Sequence, residues 1–391
     1  MSSRQQSGFV NGLRREIREM GSRKTYLFGM VLVPALMVVF FLSLLRPGLP
    51  RKVPTAVVDL DHTPLSRSLT RNLDSNEMID IVGGAESFDE ALAGVRRGEI
   101  YGFFIIPANF QSDVLAMRTP TLEYYTNMTY FVPGTLAFKG FKTIAVTMSG
   151  GVVKTTLQNL GVGERESAAL LQPVSIDAHP LGNPWLNYSI YLTPSFSIAT
   201  LALMIMLMTV YSITMEIKRG TSPEWLRTCG GRLSTALLSK MLPHTVVYVA
   251  VGSAMMWAIF GYSGFPCHGS LAWLWVGMVL FVIASQAFAL TVVSILPNPR
   301  LSFSICALFG ILTFSFTGFS FPVESMYGAI GVFSWFAPTR YLFLIYINNA
   351  LNGYAVWFAR WWYVALMVFV PVSALASLRL KKALLNPVYV P

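Results

Sequence analysis

In the stretch MEIKRGTSPEWL, residues 215–226, Glu216, Lys218, Arg219 and Glu224 crowd between two long apolar runs, with Gly220, Thr221, Trp225 and Leu226 among them. No nucleophile or metal-ligand pair accompanies them, so the chemistry they offer is recognition by charge and hydrogen bonding, not bond cleavage. Thr221 or Ser222 is expected to cap a helix here, Pro223 suits its first turn, and Glu224 favours the positive end of the helix dipole. A plain solvated loop is the competing reading. The cap and turn signals favour a short helix on a membrane surface, suited to docking a cytosolic partner.

The other reactive side chains are scattered. His62, His179, His244 and His268 share no catalytic or metal-binding spacing, and Cys229, Cys267 and Cys306 read as three inert thiols. There is no glycine-rich phosphate loop, His-Glu metal pair, nucleophile elbow or paired carboxylate within an apolar run. An ion-coupled carrier keeps ionisable groups at mid-membrane, whereas the apolar runs here are almost free of charge. The chain is therefore read as a membrane pathway with no catalytic residue, metal centre or cofactor of its own, driven by a partner.

The positioning elements follow from composition. With 391 residues, 54% hydrophobic and only 12% charged, the chain is too apolar for a soluble globular protein. Its net charge of +10 comes from bases at the ends of apolar runs, which the positive-inside rule explains without nucleic acid. Residues 1–24 combine Arg14, Arg15, Arg18, Arg23 and Lys24 with Phe9, Val10, Leu13, Ile17 and Met20 at helical spacing, an amphipathic helix on the cytoplasmic surface. A first span occupies 25–46, and its apolar run, from Tyr26 to Leu45, is too long for a signal peptide. Further apolar runs near 191–213, 238–260, 271–296, 301–321 and 362–378 bring the expected spans to six, within a membrane region of 189–379 and ahead of a cytoplasmic tail at 380–391. Lys218, Arg219, Arg227, Arg232, Lys240, Arg300, Arg379, Lys381 and Lys382 then fall inside, which puts residues 47–188 outside.

That intervening segment has the composition of an α/β domain. TAVVDLD, EMIDIVG, YGFFIIP and TLEYYTN read as strands. Thr63 with Pro64 opens one helix, a Ser87–Glu90 capping box opens another, and a long helical segment from Pro133 to Leu160 leads to a return strand near 173–178. The segment 322–352 is apolar but broken by Pro322, Gly328, Gly331 and Pro338, and it carries Glu324 and Arg340. Short helices dipping into the outer leaflet are expected, with Pro322, Glu324, Pro338 and Arg340 forming an outer gate or a structural ion pair. Met204, Met206, Met208, Phe303, Phe309, Phe314 and Phe316, on the second and fifth spans, would make either a deformable apolar wall for substrate or the packing of a dimer.

This order of parts resembles the permease subunit of type-2 ABC exporters, in the bacterial subgroup with a large extracytoplasmic domain after the first span. The resemblance runs through Arg15, Glu16 and Pro34, VPTAVVDLDHTPLSRSL, IIPANF, EYYTN, PLGNPWLNYSIYL, EIKRGTSPEWL, SKMLP at 239–243, GFSFPVESM and APTRYLF. At Met215, Ile217 and Lys218 the chain departs from the further charged residues usual in relatives. The resemblance implies a coupling helix within 215–232, a second permease copy (homodimer or sister heterodimer), a cytosolic ABC ATPase subunit carrying ATP and Mg, and a periplasmic membrane-fusion adaptor. The function it implies is export of a lipophilic or amphipathic substrate from the bacterial inner membrane. Two other classes stand against it. A membrane-embedded lipid-modifying enzyme would need a His, Asp or Glu cluster at one membrane face, and an outer-domain interaction protein would need only one or two anchoring spans.

Overall fold

The computed structural model describes residues 3–116, 118–159, 161–171, 182–184 and 187–387. The chain divides into two compact units, one of residues Met1–Gly48 with Pro180–Pro391 and one of residues Leu49–His179.

In the first unit the N-terminal helix Ser3–Ser22 precedes six helices long and apolar enough to cross a membrane: Lys24–Leu44, Tyr188–Lys218, Leu233–Tyr262, Leu271–Ile295, Pro299–Phe316 and Val356–Leu385. The second of these is the hub. Its buried face includes a run of small residues, Ser195, Ser197, Ala199, Thr200 and Ala202, which let neighbouring backbones approach closely. Its hydroxyls turn back on their own helix where no partner is near: Ser195 Oγ donates to the Tyr191 carbonyl at 2.7 Å and Thr214 Oγ1 to that of Val210 at 2.8 Å. Gly29 on the first span faces it so closely that an added methyl would sit 2.6 Å from Met208 Sδ, and one at Gly310 on the fifth span would lie 2.5 Å from Leu203 Cδ1. The first span changes to π-helical winding over Phe28–Leu32, just before Pro34, whose missing N–H the wider turn accommodates.

Between the fifth and sixth spans the chain forms a one-turn 3-10 helix Val323–Ser325, a helix Gly328–Ser334, and a helix Pro338–Tyr346 that continues as π-helix to Leu351. The latter two are bent by 81° at the break before Pro338, a broken span or a re-entrant hairpin.

The second unit holds a mixed four-stranded sheet in the order β2-β1-β3-β4, with β1 Val53–Asp59, β2 Ile79–Gly84, β3 Gly102–Ile106 and β4 Glu123–Thr126. β1 runs parallel to both neighbours and β4 antiparallel to β3. Alternation along the strands divides the core in two: Val57, Phe104 and Ile106 pack with Leu69, Leu73, Ile79 and Phe141 on one face, and Ala56, Val58 and Phe103 with Ala91 and Ile100 on the other. The capping box at Thr63 closes with Ser66, ahead of Pro64 in the first turn. At Ser87 the box is only half formed, because the Glu90 carboxylate accepts from the Glu86 N–H instead of returning to Ser87. A long helix spans Phe131–Asn159. The return strand expected near 173–178 lies outside the described residues.

Candidate functional site

The charged stretch after the second span folds into a short helix, Ser222–Thr228, with Pro223 in its first turn and Gly220 in left-handed conformation (φ +70°) at the preceding bend. Thr221 stands at the cap position, but its hydroxyl does not cap. It donates to Glu216 Oε2, because a buried carboxylate five residues back is a stronger acceptor need than an exposed helix end.

Burial splits the expected docking residues into two groups. Glu216, Trp225 and Leu226 point inward and Thr221 is half-buried, whereas Lys218, Arg219, Gly220 and Glu224 are exposed, together with Arg227. Ser222 fastens the inner face by donating from Oγ to the Leu384 carbonyl of the last span at 2.7 Å. The helix therefore presents Glu224 and Arg227 on one side, with Arg219 exposed at the turn before it, and is fastened to the last span on the other.

Beneath it lies a buried ionic network that was not read from the sequence. Arg15 of the N-terminal helix holds Glu216 through two parallel hydrogen bonds, 2.7 Å to Oε1 and 2.9 Å to Oε2, the fork geometry in which arginine binds carboxylate best. Lys240 of the third span, fully buried, donates to Glu16 and lies 3.1 Å from Glu216 Oε1, while its ammonium sits 5.0 Å from the centre of the Trp225 ring. His244 Nε2, one turn further along the third span, lies 2.8 Å from Glu16 Oε1. At the rim Glu19 pairs with Arg23 at 2.7 Å. Burial alone would push the Glu16 carboxyl up. The Lys240 charge and the His244 hydrogen bond outweigh it and hold the group below the ordinary carboxylate range. Burial likewise opposes the charge on Arg15, and the bonds to Glu216 more than restore it.

Oxygens of Glu16, Glu19 and Glu216 come within 4.8 Å of one another, a grouping that could hold a cation. The Lys240 ammonium already stands among them, 3.1 Å from Glu216 and 4.0 Å from Glu19, and supplies the positive charge. The cluster is an ion-pair network, with two fully buried carboxylates set against Lys240 and Arg15.

The N-terminal helix reaches this network on a face that its apolar stripe does not mark. Gly8, Gly12 and Glu16, four residues apart, are buried, whereas Val10 and Ile17 are exposed. A methyl at Gly12 would meet Ser239 Oγ at 2.4 Å and Cys229 Sγ at 2.6 Å, so glycine is what lets the two backbones close together. The signal was present as a glycine-glycine-glutamate repeat at helical spacing, overlooked beside the arginines.

A family model matches most of the chain, beginning after the N-terminal helix that carries Arg15 and Glu16. The model of the ABC-2 family transporter proteins covers residues 24–379. The chain belongs to that family. It is also similar to the inner membrane transport permease YhhJ of Escherichia coli (strain K12) and to its counterpart in Shigella flexneri, in each case 24% identical over 258 residues. The match spans 64% of this chain and 64% of the length of each relative. This ABC-2 family chain is thus a multi-pass membrane protein.

The apolar residues of the second and fifth spans face each other within one chain. Met206 and Met208 are buried and Met204, Phe303, Phe309 and Phe314 partly so, all in the same core, and Phe316 is buried as well. Phe309 stacks on Phe288 with ring centres 4.5 Å apart and meets Phe316 edge-on at 5.7 Å, while Phe314 stacks on Phe196 at 5.8 Å. The outward side of the fifth span is instead Leu301, Ile305, Leu308, Ile311 and Leu312. In the broken segment, Pro322 and Glu324 are exposed and Pro338 is buried. Arg340 faces Glu324 across 3.7 Å.

Proposed function

We propose that this chain is the membrane subunit of an ATP-driven exporter and that its partner ATPase docks on the exposed side of the helix Ser222–Thr228. The observation that carries the reading is the division of that helix and the turn before it: Arg219, Glu224 and Arg227 open to solvent, and Trp225, Ser222 and the preceding Glu216 fixed from behind to the third span, the end of the last span and the N-terminal helix. A docking element transmits force only if its rear is stiff, and a charge network with fork geometry is stiff because each partner's displacement strands a buried charge. ATP and Mg belong to the ATPase subunit, and Glu16, Glu216, Arg15 and Lys240 act here as positioning residues.

The same reading puts this end of the spans in the cytoplasm of a bacterial inner membrane and residues Leu49–His179 in the periplasm, where they would meet a membrane-fusion adaptor. Two permease copies would enclose a path for a lipophilic or amphipathic molecule. Met204, Met206, Met208, Phe303, Phe309, Phe314 and Phe316 form the inner packing behind that path, and Glu324 with Arg340 flanks its outer end.

The decisive experiment replaces Gly220 by Val and Glu224 by Lys together. A β-branched residue at φ +70° costs roughly 1–2 kcal/mol locally, and the charge reversal removes complementarity without touching the network. ATPase binding and transport should both fall while the spans stay folded; full transport by an intact complex would refute the docking assignment. Topology is checked by labelling with an impermeant thiol reagent in spheroplasts, with Cys267 replaced by Ser. Ser112→Cys and Glu224→Cys are both at exposed sites, and only the first should react.

A further inference from the structure

Between the helix Pro338–Tyr346 and the last span lies an open cleft of about 470 Å³, within the usual size range of small-ligand sites, roughly 300–1,000 Å³. Its walls are apolar and aromatic, with Trp335, Tyr341 and Trp361 at one end and Val368 and Val372 running along the last span from there. Trp361, Val368 and Val372 are exposed, so the cleft opens sideways on the span surface where hydrocarbon would lie in a membrane.

One cation enters this apolar wall. The Arg340 side chain is only 14% exposed and carries five N–H donors. Among the described residues its guanidinium has no hydrogen-bond acceptor within reach. Its ion-pair contact, Glu324 Oε1, stands 3.7 Å away on a side chain that is 80% exposed. The guanidinium nitrogens remain reachable from the cleft that Arg340 lines, so an anion entering there would meet free N–H donors. The neighbouring arginine, Arg360, shows the contrast: it donates to the Trp357 carbonyl at 2.8 Å and lies 3.9 Å from the centre of that ring.

We propose that this cleft binds one phospholipid molecule, its phosphate accepting from Arg340 and an acyl chain lying along Val368 and Val372. Phosphate supplies the planar pair of acceptors that a guanidinium fork matches. Interfacial tryptophans frame the headgroup level, and the sideways opening admits a molecule already dissolved in the bilayer. The inference needs only that the chain spans a membrane and is independent of how an ATPase docks.

Native mass spectrometry of the purified permease in detergent tests it, with dioleoyl phosphatidylglycerol, dioleoylglycerol and inorganic phosphate as probes. The wild type should retain one phosphatidylglycerol per chain, and neither dioleoylglycerol nor phosphate should replace it. Arg340→Gln should weaken retention by about tenfold or more, the range of a lost charged hydrogen bond, and Arg360→Gln should leave it unchanged. Glu324→Gln should tighten it, because the competing carboxylate is gone. Leu344→Trp, which fills the cleft and keeps the arginine, should weaken retention independently of any folding defect in the Arg340 variant. Equal retention of dioleoylglycerol, displacement by inorganic phosphate, or undiminished phosphatidylglycerol binding by Arg340→Gln would each overturn the proposal. So would unchanged lipid retention by Arg340→Gln accompanied by loss of dimer, which would make the cleft a contact with a second copy.

Discussion

Lys240 and Arg340 are both cations among apolar side chains near opposite ends of the spans, and their surroundings satisfy them in opposite ways. Lys240 has carboxylates from two different elements, an aromatic face and complete burial. Arg340 has one solvent-exposed carboxylate beyond hydrogen-bond distance. At the first site the protein itself closes the charge balance, so each member locks several elements at once. At the second the balance is open, and the geometry leaves room for something that is not protein. The difference teaches that an ion pair at a span end is structural when every lone pair and N–H is used, and a recognition site when some are left over.

The largest expected effect comes from breaking the closed site. Lys240→Met leaves Glu16 and Glu216 buried with Arg15 as the main compensation, and removing one partner of a buried pair typically costs about 3–5 kcal/mol. The expected outcome is loss of the folded first unit in thermal unfolding of the detergent-solubilised protein. Adding Glu16→Gln to Lys240→Met should recover much of the loss, because it removes the stranded charge. If the single variant were as stable as wild type, the network would not be holding the unit together.

A smaller effect is expected from Gly12→Leu, which intrudes on Ser239 and Cys229 where the N-terminal helix packs most closely. Overpacking of this kind costs typically about 1–3 kcal/mol. Its signature should be selective: faster proteolysis of residues 3–22 with the remaining spans intact. Uniform destabilisation of the whole unit would contradict the separate docking of that helix.

Acid sharpens the comparison further. Because Glu16 has its folded pKa lowered, the unfolded chain binds its proton first, and the stabilisation is complete above the ordinary carboxylate range. It is lost as pH falls from that range through the lowered folded value. Glu16→Gln should therefore flatten the acid limb of the stability profile, read by thermal unfolding across that pH range. The smallest effect belongs to the exposed face: Arg219→Ala or Glu224→Ala alone should change stability by less than about 0.5 kcal/mol, as surface substitutions usually do, and any loss should appear in ATPase binding instead.

Much of this architecture was legible before any coordinates. The spans stand out because about 20 apolar residues in a row have no other economical use, and the four strands of the second unit were marked by short runs of strand-forming residues and by Thr63–Pro64 at the following helix. The short helix at Ser222–Thr228 was legible from Pro223 and the charge change around it. Its inner and outer sides were not. Glu216 reads as one more surface charge in EIKRG, and nothing local says that Arg15, 201 positions earlier, will hold it. Met204, Met206, Met208, Phe303, Phe309, Phe314 and Phe316 were legible as apolar and adaptable, but their pairing across two spans of one chain depends on the close approach at Gly310 and Leu203.

Composition and local pattern by themselves determined the membrane class, about six candidate spans, an α/β segment and the place of the charged turn, since each depends on residues close together in the chain. Only the tertiary structure decided which charges are buried, which glycines are contact points and which largely buried arginine lacks a hydrogen-bond acceptor among the described residues. The reason is physical: burial and pairing are properties of what a side chain meets, and for Glu16, Lys240, Glu216 and Arg15 those neighbours come from three helices brought together by folding.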